Sequence, residues 1–138
     1  MANIILLAVD NSKHSLRAAE AVERLAKPTK SDVAVIHVHE TAIGRWGSLR
    51  VDDAEGDGFA ETIVQTLTEA GITTSLLVRE ATYGQVAHAL INAADDLDAD
   101  FIAVGSRGRS DIGSLTLGSV SHKLLHMSHR PVLVVPTV

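Results

Sequence analysis

Short apolar runs alternate with amphipathic stretches along the whole chain. The runs are brief and continuous, as in strands that are covered on both faces, and they predict five β-strands over 3–9, 33–38, 73–79, 100–104 and 131–136. Between the runs, apolar residues recur at helical spacing, which predicts four helices over 13–26, 57–70, 84–97 and 116–128.

Local signals support several of these boundaries. The stretch Asp10-Asn11-Ser12 offers N-cap residues directly before the first helix. Pro28 is expected to stop that helix, and Gly71 follows the second helix as a C-cap glycine should. Residues 40–56 contain three glycines and no clear period, and we interpret them as an irregular loop.

The alternation of strands and helices predicts an α/β fold in a single domain over residues 1–138. Five parallel strands joined by right-handed crossovers give an open, Rossmann-like sheet with helices on both faces. Periodicity does not fix the strand order. In such sheets, ligands bind beyond the carboxyl ends of the strands, where the winding reverses.

Composition narrows the class of protein. Hydrophobic residues make up 46% of the chain but aromatic residues only 3%, so the core is aliphatic. The net charge is −5 with no block of like charge, which argues against a nucleic-acid partner. The absence of cysteine excludes disulfides and thiolate chemistry. The N-terminal apolar run lacks a basic leader and is too short to cross a membrane, so we expect a cytoplasmic protein with no membrane partner.

Two strand ends carry candidate chemistry. The first is Val9-Asp10, and the second is the stretch 104–108, which reads VGSRG. Asp10 has two interpretations that the residues alone leave open. It is either an acidic residue that stabilises the start of a helix or a carboxylate that contacts a sugar hydroxyl or a metal in the crevice.

Glycines at fixed spacing follow the fourth predicted strand. The pattern is G-x-x-G-x9-G-S, formed by Gly105, Gly108, Gly118 and Ser119. Ordinary turns explain isolated glycines, but this spacing ends at the start of a helix, where free N–H groups attract an anion. The pattern therefore favours a phosphate site, although it matches neither the Walker loop nor the G-x-G-x-x-G fingerprint.

These stretches resemble the universal stress protein family. The likeness runs through ILLAVDNSKHSLRAA, VIHVHE, DFIAVGSRGRS, LTLGSVSHKLL and RPVLVVP, so that only 41–60 has no pattern to compare. The resemblance implies a sheet order of 3-2-1-4-5 in predicted strands. It also implies that the protein binds ATP, or another adenine nucleotide, with Mg²⁺.

The resemblance assigns roles by position. Ala8, Val9 and Asp10 match a segment that contacts adenosine, with Asp10 on the ribose or metal side, and the backbone of Val38 matches the adenine position. Two glycine-containing segments match the parts that hold ribose and phosphates, and they comprise Val104, Gly105, Arg107, Gly108, Gly118, Ser119, Val120 and Ser121. A departure from the family is Asp111, an extra carboxylate in the connecting loop.

The resemblance also implies a homodimer paired through the last strand, 131–136, and a protein partner that the sequence does not identify. We expect a nucleotide-dependent stress-response regulator with no catalytic residue and at most slow ATP hydrolysis or self-phosphorylation on Ser119 or Ser121. An alternative is a dimeric interaction module that binds no nucleotide. An adenylyl-transfer enzyme on the same fold is disfavoured, because DNSKHS replaces the S-G-G-x-D-S loop of such enzymes.

Other residues carry weaker signals. His122, His126 and His129 share one face of the last helix, and a divalent metal could bridge the first two, but solvated or interface histidines are favoured because that helix has no acidic residue. His37 and His39 are expected on opposite faces of their strand. Trp46 either covers the nucleotide or shields the sheet edge.

Overall fold

A computed structural model describes residues 3–44, 47–50, 56–106 and 118–136. Within these ranges the strands are β1 (Ile4–Ala8), β2 (Asp32–Gly44), β3 (Gly47–Arg50), β4 (Thr74–Thr82), β5 (Phe101–Gly105) and β6 (Val132–Val135). The helices are α1 (Lys13–Thr29), α2 (Gly56–Glu69), α3 (Val86–Leu97) and α4 (Ser119–Met127). The predicted alternation of strands and helices is therefore confirmed.

The sheet has the expected order. Five parallel strands run β4-β2-β1-β5-β6, which is 3-2-1-4-5 in the numbering of the predicted strands. Strand β1 lies at the centre, and its Ile5 is in register with Val33 of β2 and Phe101 of β5. Since the winding reverses between β1 and β5, their carboxyl ends form the edge where a ligand is expected.

Two aliphatic layers cover the sheet. Ile5 and Leu7 of β1 point to one face, where they pack with Val22 of α1 and Leu67 of α2. The alternate residues face the other side and pack with α3 and α4; Leu6, for example, lies in the layer of Leu90 and Leu124. The central strand is thus buried on both faces, which explains its uninterrupted apolar sequence.

The region interpreted as an irregular loop is partly a β-hairpin. Strand β2 continues to Gly44 and pairs antiparallel with β3. Thr41 pairs with Arg50 of β3 and also with Thr82 of β4, so β3 must lie on the same edge of β2 as β1. Because β1 ends at Ala8, which is opposite Ile36, the hairpin occupies that edge beyond the end of β1. The prediction of a loop was wrong because the glycines at the turn were taken to interrupt the strand.

Helix ends follow the expected chemistry only in part. Ser12 is the N-cap residue of α1, but its side chain makes no capping hydrogen bond. Pro28 does not stop α1, because it lies in the last turn and the chain leaves the helix at Lys30, whose φ is 53°. Gly71, with φ of 90°, ends α2 as predicted. Among the described residues, no helix is both long and apolar enough to span a membrane. The cytoplasmic location stays a prediction.

Arg130 joins the end of α3 to the start of β6. Its Nε donates to the Ala99 carbonyl at 2.6 Å, and its two terminal nitrogens contact Asp95 at 2.7 Å and Asp98 at 3.1 Å. Its side chain is only 21% exposed, whereas the two carboxylates are largely in solvent. The bond to the Ala99 carbonyl therefore carries most of the stabilisation.

We expect Arg130→Ala to lower the free energy of unfolding by about 1–3 kcal/mol, because the Ala99 carbonyl loses a charged donor. Urea denaturation measures this. Arg79→Ala is the matched control, since among the described residues Arg79 contacts only Asp96, at 3.5 Å and exposed to solvent. This variant should change stability by less than about 0.5 kcal/mol. Equal losses in the two variants would contradict the assignment.

Candidate functional site

The ends of β1 and β5 lie side by side. Leu7 is in register with Ala103, so that Val9 and Gly105 leave the sheet as neighbours at its carboxyl edge. Ala8, Val9 and Val104 are buried beneath this edge. The first two sequence-predicted segments of the site are therefore adjacent in the structure.

Asp10 is fixed by hydroxyl groups from the start of α1. Its Oδ1 accepts a hydrogen bond from Ser12 Oγ and another from Ser15 Oγ at 2.9 Å. The Asp10 N–H donates to the same Ser15 oxygen at 2.7 Å. Ser15 is buried, so this network holds the carboxylate at the crevice edge without any ligand. Both interpretations of Asp10 are compatible with this position.

Gly105 is needed for packing at the end of β5. A Cβ at this position would lie 2.8 Å from the His14 Cβ and 2.9 Å from the His14 carbonyl oxygen. The Gly105 carbonyl accepts a 2.7 Å hydrogen bond from Ser121 Oγ. The glycine therefore lets the first turn of α1 approach β5 from one side while α4 is anchored from the other.

Helix α4 begins close to the end of β5. Gly118 is its N-cap residue, and the Gly118 N–H donates to the Ser106 carbonyl at 2.7 Å. The first intrahelical bond runs from the His122 N–H to the Gly118 carbonyl. The N–H groups of the first turn, at residues 119–121, have no backbone acceptor among the residues that the structure describes. These N–H groups can bind an anion.

The two serines of this turn differ in access. Ser119 is exposed, whereas Ser121 is 2% exposed and its hydroxyl is bonded to Gly105. Arg107 and Gly108, together with Asp111, lie outside the described residues. The hydrogen bond between Ser106 and Gly118 brings together the two ends of that segment.

Val38 lies on the face of β2 that is covered by α3 and α4, and it is buried. Two residues further along the same face, Glu40 borders a small pocket that is open to solvent. The pocket lies between β2, the β4–α3 turn and α4, and it is lined by Glu40, Gly84, Val86, Ala87, Ser119, Val120 and Lys123. The pocket thus extends from β2, which carries Val38 of the predicted adenine position, to the start of α4.

Two charged residues of this pocket were missed by sequence reasoning. Glu40 accepts a hydrogen bond from the Gly84 N–H at 2.9 Å, and Lys123 Nζ donates to the Gly84 carbonyl at 2.8 Å. Gly84 has a φ of 82°, which favours glycine. Gly84 therefore ties β2 to α4 through its N–H and its carbonyl. Sequence spacing could have identified the two charged residues. Glu40 follows Val38 by two residues and so shares its face of β2, and Lys123 follows Ser119 by four residues and so shares its face of α4.

The expectation for His37 and His39 was wrong. Residues two apart on a strand share a face. Both side chains are 3% exposed, and their ring centroids lie 4.6 Å apart. By alternation they share the face of Val35, towards α1 and α2, opposite to Val38. Trp46 lies outside the described residues.

Comparison with known proteins identifies the family. The sequence profile described as the Universal stress protein family matches residues 1–136. The chain belongs to this family. Universal stress protein YxiE of Bacillus subtilis is 31% identical over an alignment that covers 98% of this chain and 99% of that protein.

Solved structures share the universal stress protein fold. A universal stress protein in complex with cAMP has a TM-score of 0.71 at 24% identity, with 99% of this chain and 98% of the other covered. A universal stress protein from Archaeoglobus fulgidus in complex with dAMP has a TM-score of 0.70 at 16% identity, with 98% of both chains covered. At these identities the likeness establishes the fold.

The crowding at Gly105 gives a stability prediction. We expect Gly105→Ala to lower the free energy of unfolding by about 1–3 kcal/mol, because the new methyl group meets the backbone of α1. Gly58→Ala is the control, since a Cβ there meets nothing within 4 Å in an exposed part of α2, and it should raise stability by up to about 1 kcal/mol. Urea denaturation measures the stability of both variants. An unchanged midpoint for Gly105→Ala would show that α1 does not pack closely against Gly105.

Proposed function

We propose that this universal stress protein binds an adenine nucleotide, ATP with Mg²⁺, at the carboxyl edge of its sheet and acts as a nucleotide-dependent stress-response regulator. The observation that carries the proposal is that the end of β1, which leads to Asp10, lies beside the end of β5, and that the residue after β5 is hydrogen-bonded to the start of α4. Family membership and the cAMP and dAMP complexes of two proteins with this fold support an adenine ligand.

The nucleotide is assigned to the pocket because the needs of its base and its phosphates match the groups around the pocket. The base requires an apolar surface, which the pocket residues Val86 and Val120 supply. Both belong to the apolar layer that contains the buried Val38. The phosphates require N–H donors, which the first turn of α4 supplies, with the exposed Ser119 hydroxyl as a further donor. Arg107 and Gly108 stay predicted contacts of the ribose and phosphates.

Asp10 suits the ribose or the magnesium ion. Mg²⁺ prefers hard oxygen ligands and is commonly held by one or two carboxylates together with nucleotide phosphates. Asp10 offers such a ligand, and the hydroxyls of Ser12 and Ser15 fix its Oδ1 in advance. With Mg²⁺ bound, the ion would neutralise phosphate charge, while this chain would supply the orientation.

The described residues of the site give no support for rapid hydrolysis. A general base must reach the attacking water, and the Asp10 Oδ1 already accepts two hydroxyl hydrogen bonds. Of the two candidate acceptors for self-phosphorylation, Ser119 is accessible, whereas the buried Ser121 hydroxyl is bonded to Gly105. We therefore infer regulation by binding, with at most slow turnover at Ser119.

Proline at position 119 tests the phosphate contact. Gly118 has φ −62° and ψ 157°, a conformation that suits a residue before proline, and proline is favoured at the first helical position. Ser119→Pro therefore removes one N–H and the hydroxyl without breaking α4, whereas Ser119→Ala removes the hydroxyl alone. We expect ATP affinity to fall about three- to tenfold in the alanine variant and at least about tenfold further in the proline variant.

Calorimetric titration with ATP and Mg²⁺ measures these affinities, and adenosine is the matched ligand without phosphate. Adenosine affinity should be the same in all three proteins. Equal ATP affinity in the wild type and Ser119→Pro would refute the phosphate assignment. If the wild type bound neither ligand, and released no adenine nucleotide on denaturation after purification, the alternative of a nucleotide-independent interaction module would replace the proposal.

We further propose that the regulator is a homodimer paired through β6. This strand is at the edge of the sheet among the described strands, and its four residues are all partly exposed. The carbonyls of Pro131 and Val135 accept hydrogen bonds from β5. By alternation, the N–H groups of Val132 and Val134 point away from β5, where a second copy can pair with them.

Val134→Pro tests this pairing. Proline removes one outward N–H and is tolerated on an edge strand, so that the hydrogen bonds between β5 and β6 remain. We expect the wild type to sediment as a dimer at micromolar concentration and the variant to shift towards monomer. Leu125→Ala, a change of an exposed apolar residue on α4, is the control and should leave the dimer intact. A wild-type monomer under the same conditions rules out the proposal.

A further inference from the structure

Four histidines of this chain are exposed, and two of them are in contact. His14, His37 and His39 are buried, whereas His88, His122, His126 and His129 are exposed. On α4, the rings of His122 and His126 meet with their centroids 4.5 Å apart and their planes at 63°. The nucleotide site does not use this pair.

We propose that His122 and His126 form a two-histidine binding site for a divalent transition-metal ion. Residues four apart lie on the same helix face, so both imidazoles reach one point in space. Imidazole nitrogen suits Cu²⁺, Ni²⁺ and Zn²⁺. Both rings are open to solvent, and a bound ion keeps water or a further external ligand in its remaining positions.

The ring separation agrees with chelation. A metal lies about 2.0–2.1 Å from an imidazole nitrogen, and hence about 3.2 Å from the ring centroid. Two ligands at a right angle then place their centroids about 4.5 Å apart, and two ligands at the tetrahedral angle about 5.2 Å apart. The observed 4.5 Å equals the first distance. The rings now meet edge to face, so chelation requires side-chain rotations that direct a nitrogen of each ring at one ion, while the centroid separation need not change.

The neighbouring groups define the site further. Lys123, which follows His122, is bonded to the Gly84 carbonyl, so its charge is directed to the β4–α3 turn. No third histidine, aspartate or glutamate completes a metal-binding group within the described parts of the chain. The expectation that His129 shares the helix face was wrong, because α4 ends at Met127, and His129 is assigned no role in the site. With two protein ligands, the site suits metals that fill their remaining coordination positions with water. Cu²⁺ should bind more tightly than Ni²⁺ or Zn²⁺.

The test uses the full chain without an affinity tag, treated with chelator and kept free of nucleotide and phosphate. Titration calorimetry with Zn²⁺, Ni²⁺ and Cu²⁺ should show one ion per chain. We expect His122→Ala and His126→Ala each to weaken binding at least about tenfold, since the second imidazole binds intramolecularly. The Cu²⁺ complex should show two nitrogen ligands by electron paramagnetic resonance.

The other exposed histidines are the controls. His88→Ala and His129→Ala should retain the wild-type affinity within about twofold, and circular dichroism should show unchanged helix content in all four variants. Three outcomes overturn the proposal: wild-type affinity in His122→Ala, an equal loss in either control, or a wild type that binds no more tightly than a variant carrying both His122→Ala and His126→Ala. None of these outcomes depends on whether the protein binds nucleotide.

Discussion

The close approach of two helices to the end of β5 is the constraint on which the rest of the edge depends. At Gly105 the absence of a side chain allows the His14 backbone to pack within 3 Å of where a Cβ would stand. The carbonyl of the same residue receives the Ser121 hydroxyl, and the next residue, Ser106, receives the Gly118 N–H. One strand end therefore positions the first turns of α1 and α4. A larger residue would move both helices and, with them, the carboxylate and the N–H groups of the site.

The same constraint explains why the polar groups at this edge are fixed before a ligand arrives. Asp10 belongs to the turn that leads into α1, and its contacts with Ser12 and Ser15 come from that helix. On the other side, Gly84 connects Glu40 of β2 with Lys123 of α4. A pre-organised site loses less conformational entropy on binding. Fixed groups therefore suit a protein that senses a ligand better than groups that must be ordered each time.

The sequence was sufficient to predict the architecture because each strand of the parallel sheet is a short aliphatic run between helical periods. It also predicted that the segments around Asp10, Gly105 and Ser119 follow strands or open a helix, and the structure confirms these positions. It failed where pairing between distant residues decides the structure. The β2–β3 hairpin depends on the register of Thr41 with Arg50, and the roles of Glu40 and Lys123 depend on their common contact with Gly84. No local period encodes such contacts. The error at His37 and His39 was different in kind, because strand alternation already placed them on one face.

Helix α4 combines three surfaces within nine residues, and its order depends on them together. Leu124 and Ser121 are buried against the sheet, whereas Ser119 and Lys123 face the pocket. The third surface, with His122 and His126, is open to solvent. An isolated helix of this length is marginal in water, so α4 owes its stability to its contacts with the rest of the molecule. A ligand in the proposed nucleotide site would bind at the first turn, while an ion in the proposed histidine site would join the first half of the helix to its end. Each would favour the helical state of the same short segment, so the free energies of the two binding events are expected to be coupled through the order of α4.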